Sequence, residues 1–210
     1  MIIEDMEQGS DEWFQARLGI PTASCFDQIV TTQGKASASS KTYMHKLLAE
    51  WMIGKPNEGH SSEWMERGQE LEAEARSLFE FERDVDVEQV GIIYKDNDRL
   101  CGCSPDGLIM ANEFPQYGIE IKCPAPHTHV GYLLDNKLPT KYIMQVQGSM
   151  WVSDLPGWVF MSYHPDLTPL IINVDRDEKV MAFLDEYIPA FIEKLIKSRT
   201  VLNDAIKVAA

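Results

Sequence analysis

The chain has 210 residues, 44% hydrophobic and 25% charged, with a net charge of -14 at pH 7. That length suits one compact core, and the near-average composition excludes a disordered chain. The negative charge argues against a protein that coats nucleic acid nonspecifically, unless its few basic residues line one channel and some carboxylates hold cations.

Met1 leads into Ile2, Ile3, Glu4 and Asp5 rather than a basic leader, and no apolar run approaches the ~20 residues that span a bilayer. A cytoplasmic protein with no membrane partner is expected. Gly9-Ser10-Asp11 before Glu12, Trp13, Phe14 and Leu18 combines a cap with helical spacing and predicts a short first helix. Residues 31 to 42 are small and polar, which predicts a flexible loop that orders on a ligand. A second helix follows with Tyr43, Leu47, Leu48, Trp51 and Met52, and a third spans residues 62 to 83, with Trp64, Leu71, Ala75, Leu78 and Phe79 on its apolar stripe.

From residue 85 the period changes. Short strands at 90 to 94, 100 to 103, 107 to 110 and 118 to 123, separated by Asp, Asn, Gly and Pro, predict a meander within one sheet. A fourth helix is expected over 139 to 153, then strands at 158 to 163 and 170 to 174. A last long helix carries Val180, Phe183, Leu184, Ile188, Phe191 and Leu195. The fold class is therefore α/β (α+β), a central mixed β-sheet flanked by helices. No repeat or linker divides the chain, so residues 1 to 210 are expected to form a single domain. Cys25, Cys101, Cys103 and Cys123 lack paired C-x-x-C spacing and read as reduced thiols.

The chemistry concentrates in Ser104-Pro105-Asp106-Gly107-Leu108 and Gly118-Ile119-Glu120-Ile121-Lys122-Cys123-Pro124. Alternation puts Glu120 and Lys122 on one face of a strand and Ile119 and Ile121 on the other. If the strand after Asp106 pairs alongside, two carboxylates and one ammonium share a site. Hard carboxylate oxygens suit Mg²⁺, which shares its remaining positions with water and phosphate. The grouping fits metal-dependent phosphodiester hydrolysis, with Lys122 near the attacking water and Glu72 completing the metal or water shell. Taken singly, Asp106 also reads as a turn residue, and Glu120 with Lys122 as a solvated pair.

Longer stretches carry a resemblance. They are Trp13 with Ala16 to Ile20 and Thr22-Ala23-Ser24, Gly68 with Glu72 and residues 75 to 81, and Ile93-Tyr94. They continue through residues 103 to 108 and 120 to 124, Gln145-Val146-Gln147 with Ser149-Met150-Trp151, and Arg176-Asp177-Glu178-Lys179. In this order the chain resembles the phage lambda exonuclease family of YqaJ-like viral recombinase nucleases, within the PD-(D/E)xK restriction-endonuclease-like superfamily.

The resemblance implies a restriction-endonuclease-like core and a 5′ to 3′ exonuclease. Such an enzyme digests one strand of linear double-stranded DNA, releases 5′ mononucleotides and leaves a 3′ single-stranded tail for recombination. Asp106, Glu120 and the Ile121 carbonyl would be metal ligands for Mg²⁺, two per site, with Mn²⁺ an alternative. Lys122 would be the catalytic lysine, and Glu72 would orient water. Arg17, Ser24, Ser104 and Gln147, or its neighbour Gln145, match the pocket for the terminal 5′ phosphate, and Met65 the side chain that wedges the duplex end. The family also implies a homotrimer ring around DNA, a single-strand annealing protein as partner, and a phage or prophage gene expressed in a bacterial cytoplasm. Two other readings compete: a RecB-like single-strand or structure-specific nuclease, disfavoured by the cysteine spacing, and a non-catalytic DNA-end-binding module, disfavoured by the intact triad.

Overall fold

Ser10 Oγ accepts the backbone N–H of Trp13 at 3.2 Å and so starts helix α1 (Asp11–Ala16). The computed structural model describes residues 1–56 and 63–209, with side chains described for 1–56 and 71–205. A 3-10 helix (Ala23–Gln28) follows, then α2 (Ser40–Ile53). Helix α2 ends at Gly54, whose φ of 73° places it in the left-handed region that glycine enters without a Cβ clash. The third helix is α3 (Glu63–Arg83).

The segment expected to be flexible is a hydrogen-bonded turn. Thr31 N–H donates to Lys35 O at 2.8 Å and Ser37 N–H to Ile29 O at 2.9 Å. Tyr187 Oη reaches Gly34 O at 3.3 Å. Small residues let the turn close under the last helix; their polarity does not make it mobile.

Among the described residues eight strands form two sheets. β1 (Ile2–Glu4), β3 (Ile92–Tyr94) and β4 (Gly102–Cys103) make a small antiparallel sheet in the order β1-β3-β4. β2 (Asp86–Glu88), β5 (Gly107–Ala111), β6 (Phe114–Lys122), β7 (Gly157–Ser162) and β8 (Leu170–Asp175) make the central mixed sheet, in the order β2-β5-β6-β7-β8. The expected single meander is thus split, because β3 pairs with the N-terminal strand on one side and β4 on the other, and neither joins β5. Strands of two or three residues carry too little periodicity to announce this.

β5 and β6 are a hairpin turning at Asn112 and Glu113, both with positive φ, which matches the twist of a tight hairpin. β6 and β7 are parallel, so a crossover must join them. It consists of α4 (Pro126–Asp135), which the sequence reading missed, and α5 (Thr140–Ser153). In this pairing Glu120 lies opposite Phe160 and Lys122 opposite Ser162. β7 is buried at every position, as a central parallel strand should be.

The core has two parts. Ile119, Ile121, Val159 and Met161 pack with Ala75 and Phe79 of α3. Phe26, Met150, Trp158 and Leu184 belong to a second cluster, joining α5 and the 3-10 helix to the last helix, α6 (Glu178–Ala209). Among the described residues no helix is long and apolar enough to cross a membrane.

Candidate active site

Alternation along β6 sends Ile119 and Ile121 into the α3 cluster and leaves Glu120 and Lys122 on the opposite face. Glu120 is only 1% exposed. Its Oε1 pairs with Lys122 Nζ and accepts the Gln145 amide from α5 at 2.5 Å. Its Oε2 is buried with no hydrogen-bond partner among the described residues. A carboxylate oxygen stripped of water and given no donor is costly. A bound cation would supply what it lacks.

Asp106 sits one residue before β5 and is fixed from three sides. Its N–H donates to Ile119 O at 3.1 Å, its Oδ2 accepts Ile121 N–H at 2.6 Å, and its carbonyl accepts Arg76 Nε at 3.1 Å. Lys122 Nζ lies 3.8 Å from Asp106 Oδ2. On an extended strand the N–H and C=O of one residue leave by the same edge. Since the Ile121 N–H points to Asp106, its carbonyl opens on the Asp106 side.

Burial pushes the Glu120 carboxyl up to about 7, opposed by Lys122 and reinforced by Asp106 and Glu72. Glu72, half-buried on α3, is also pushed up to about 7 by burial and then by Asp106, against the pull of Lys122 and Arg76. Burial alone would lower Lys122, but Glu120 and Asp106 hold it above its ordinary value, so it stays an ammonium. The Asp106 charge raises the proton affinity of both Glu72 and Glu120 beside the Lys122 ammonium, an arrangement that a divalent ion would relieve.

Among the described residues no three His, Cys, Asp or Glu side chains gather closely enough to hold an ion alone. Glu120, Asp106 and the Ile121 carbonyl form an all-oxygen set that would leave positions for water and phosphate, as Mg²⁺ prefers. When bound, such an ion lowers the pKa of a coordinated water and stabilises charge on phosphate oxygens.

Beside these groups lies a cavity of about 110 Å³ lined by Arg17, Ser24, Ser104, Asp106, Glu120, Lys122 and Gln145, with Trp13 and Gln8 among the other walls. Arg17 Nη1 donates to Ser104 Oγ at 2.8 Å and Nη2 to Thr22 Oγ1 at 3.4 Å. Thr22 Oγ1 lies 3.2 Å from Ser24 Oγ. Trp13 packs its ring 4.2 Å from the Arg17 guanidinium carbon and shares its one Nε1–H between Ser104 Oγ at 3.0 Å and Gly91 O at 2.9 Å. The Ser104 hydroxyl therefore accepts two donors, which leaves its own proton to point elsewhere. Burial pulls the Arg17 pKa down, yet a guanidinium remains charged. One cation and several hydroxyl donors in a small polar cavity fit a terminal phosphate.

The expected pair Gln145 and Gln147 divides. Two positions along α5 rotate a side chain by roughly 200°, so they face opposite ways. Gln145 lines the cavity, whereas Gln147 is buried elsewhere, donating to Asp175 O at 2.8 Å and accepting Asp177 N–H at 2.9 Å. Gln147 is thus a staple between α5 and the start of α6, and its amide is not available to a phosphate. Met65 lies outside the residues whose side chains are described.

Gln8 and Trp13 are among the cavity residues that escaped the sequence reading as site residues. Gln8 donates to Val90 O at 2.9 Å and Pro105 O at 2.8 Å, tying the segment before Asp106 to the N-terminus. Trp13 stands four residues before Arg17, a helical neighbour spacing that was the available signal. Cys101 and Cys103 are buried free thiols with no disulfide; burial raises both, Cys101 to about 12.

The model of the YqaJ-like viral recombinase domain matches residues 12–156. The alkaline exonuclease LHK-Exo from Laribacter hongkongensis superposes with a TM-score of 0.84 at 30% identity, covering 96% of this chain and 100% of that one. The phage-related exonuclease from Haemophilus somnus 129PT superposes with a TM-score of 0.66 at 15% identity, over 89% of this chain and 96% of that one, a likeness of fold alone. The Escherichia coli (strain K12) protein ExoD is 39% identical over 61 residues, 28% of this chain and 70% of that one. The restriction-endonuclease-like sheet, with Asp106, Glu120 and Lys122 at the ends of its paired strands, belongs to a member of the YqaJ-like viral recombinase domain family.

Proposed function

We propose that the chain is a Mg²⁺-dependent DNA exonuclease that enters linear duplex DNA at a 5′-phosphorylated end, removes 5′ mononucleotides and leaves a 3′ single-stranded tail. The observation that carries this reading is the shared cavity. Asp106, Glu120 and Lys122 stand in the same small space as Arg17, Ser24, Ser104 and Gln145. A phosphate held at Arg17 sets how far the chain end can advance, so the bond presented to the carboxylates is the first one inside the end. That LHK-Exo is named an alkaline exonuclease, and has also been solved with dAMP bound, supports mononucleotide release here.

Within this reading Lys122 Nζ sits between Glu120 and Asp106, where it neutralises the scissile phosphate and orients the attacking water. Glu72 is poised near neutrality and takes a hydrogen bond, then a proton, from that water. Arg17 and Ser104 position rather than cleave. Mn²⁺ serves the same oxygen ligands. A homotrimer ring would keep the enzyme on its track, and a single-strand annealing protein would take over the tail.

The test is release of acid-soluble nucleotides from a 5′-phosphorylated linear duplex and from the same DNA as a closed circle. Digestion of the linear form alone, lost in EDTA and in Lys122→Ala, is expected. Cleavage of the circle contradicts an exonuclease. Light scattering near three times the 23.9 kDa chain is expected for the ring, and a monomer at working concentration removes it.

A further inference from the structure

Beyond the phosphate cavity, α5 carries a second series of groups. Gln145 and Tyr142 are three residues apart and so adjacent on one helix face. Gln145 lines the cavity, whereas Tyr142 stands outside it with its ring 5.9 Å from Lys122 Nζ. Tyr142 is anchored on the sheet by Phe160, ring centroids 5.2 Å apart. Lys141 Nζ lies 4.7 Å from the Tyr142 ring and 5.6 Å from that of Tyr132 on α4, and the two tyrosines meet edge to face at 6.5 Å. Among the described residues Lys141 enters no salt bridge, in a chain of net charge -14. An exposed cation without a carboxylate, set between two aromatic rings, is the chemistry of single-stranded nucleic-acid binding.

We propose that Tyr142, Lys141 and Tyr132 form a track for the strand being digested. The rings stack unpaired bases on the 3′ side of the cleaved bond, and Lys141 holds a phosphate between them. The proposal rests on the 5′-end reading above. With the terminal phosphate at Arg17 and the broken bond at Glu120 and Lys122, the next nucleotides continue past Tyr142. A cavity of about 110 Å³ holds a phosphate and not a base pair, so the first bases must leave the duplex and expose their faces.

The test compares two 5′-phosphorylated duplexes, one normal and one with tetrahydrofuran abasic residues at the second and third positions of the digested strand. In the wild type the abasic sites raise KM about tenfold, as expected for lost stacking. Tyr132→Ala raises KM similarly on the normal duplex, keeps kcat, and loses nothing further on the abasic one. Tyr132→Leu, which keeps apolar volume without a ring, behaves the same way. Losses that add, or that fall on kcat, overturn the stacking role. Lys141→Ala keeps the sensitivity to bases but makes the salt dependence of KM shallower by about one counterion; an unchanged slope removes Lys141 from the track. Failure of the wild type to begin at the 5′ end defeats the underlying reading, and that is seen before any variant is made.

Discussion

The carboxylate of Asp106 accepts a 2.6 Å hydrogen bond from the backbone N–H of Ile121, across the join between β5 and β6. One side chain thereby locks the two acidic positions together and turns the Ile121 carbonyl toward the same space. Asp106→Asn retains an oxygen to accept that bond and loses only the charge. The melting temperature should stay within a few degrees, while Mg²⁺-dependent nucleotide release falls at least about a hundredfold. Calorimetry and an acid-solubility assay check the two halves; an active Asn variant contradicts ligation by Asp106.

Glu72 and Glu120 titrate near 7 in the folded chain against 4.5 for an ordinary glutamate. Between those values the folded chain keeps protons that the unfolded chain has released. The associated stability is fully present below about 4.5 and is lost as pH rises through about 7. Ligand carboxylates must be deprotonated to bind metal, so Mg²⁺ opposes this loss and its effect grows over the same interval. Thermal melting in EDTA should decline from about pH 5 to 8, and the gap to the Mg²⁺ curve should widen. A flat EDTA profile would refute the assignment.

Trp13 acts through Arg17 and Ser104, packing against the first and donating to the second. Trp13→Phe keeps a ring but removes the Nε1 donor. The preference for 5′-phosphate over 5′-hydroxyl ends should fall about tenfold, as for the loss of a hydrogen bond to a charged cluster. The ratio of kcat/KM on the two ends measures it, and an unchanged ratio removes Trp13 from phosphate recognition.

Gln145 and Gln147 make a paired test. Gln147→Ala orphans the Asp177 N–H and Asp175 O and should cost about 1–3 kcal/mol of stability with activity retained in the folded fraction. Gln145→Ala should melt normally and lose activity, because its partner is Glu120 Oε1.

Much of the carboxylate site was legible because its members are near in sequence. Two residues of alternation place Glu120 with Lys122, and a hairpin turning at Asn112 returns Asp106 beside them. The phosphate cavity was not legible from spacing. Arg17 and Ser104 meet across 87 residues, through a sheet whose strands have two or three residues. Only the family resemblance named them. The choice between Gln145 and Gln147 needed the rotation of α5 about its axis, since both helix faces there are apolar and neither reads as the outside. Helix α4 was missed because it spans only ten residues with Gly131 in its interior, although Pro126 in its first turn is a helix-start signal.

The most direct measurement of the central claim is strand-specific end labelling of a 5′-phosphorylated duplex digested in Mg²⁺. Label at the 5′ end should appear at once as mononucleotide, while label at the 3′ end stays in a shortening duplex and then in a long single strand. Early release of 3′ label, or equal digestion of 5′-hydroxyl ends, would contradict a cavity in which Arg17 and Ser104 hold the terminal phosphate beside Asp106, Glu120 and Lys122.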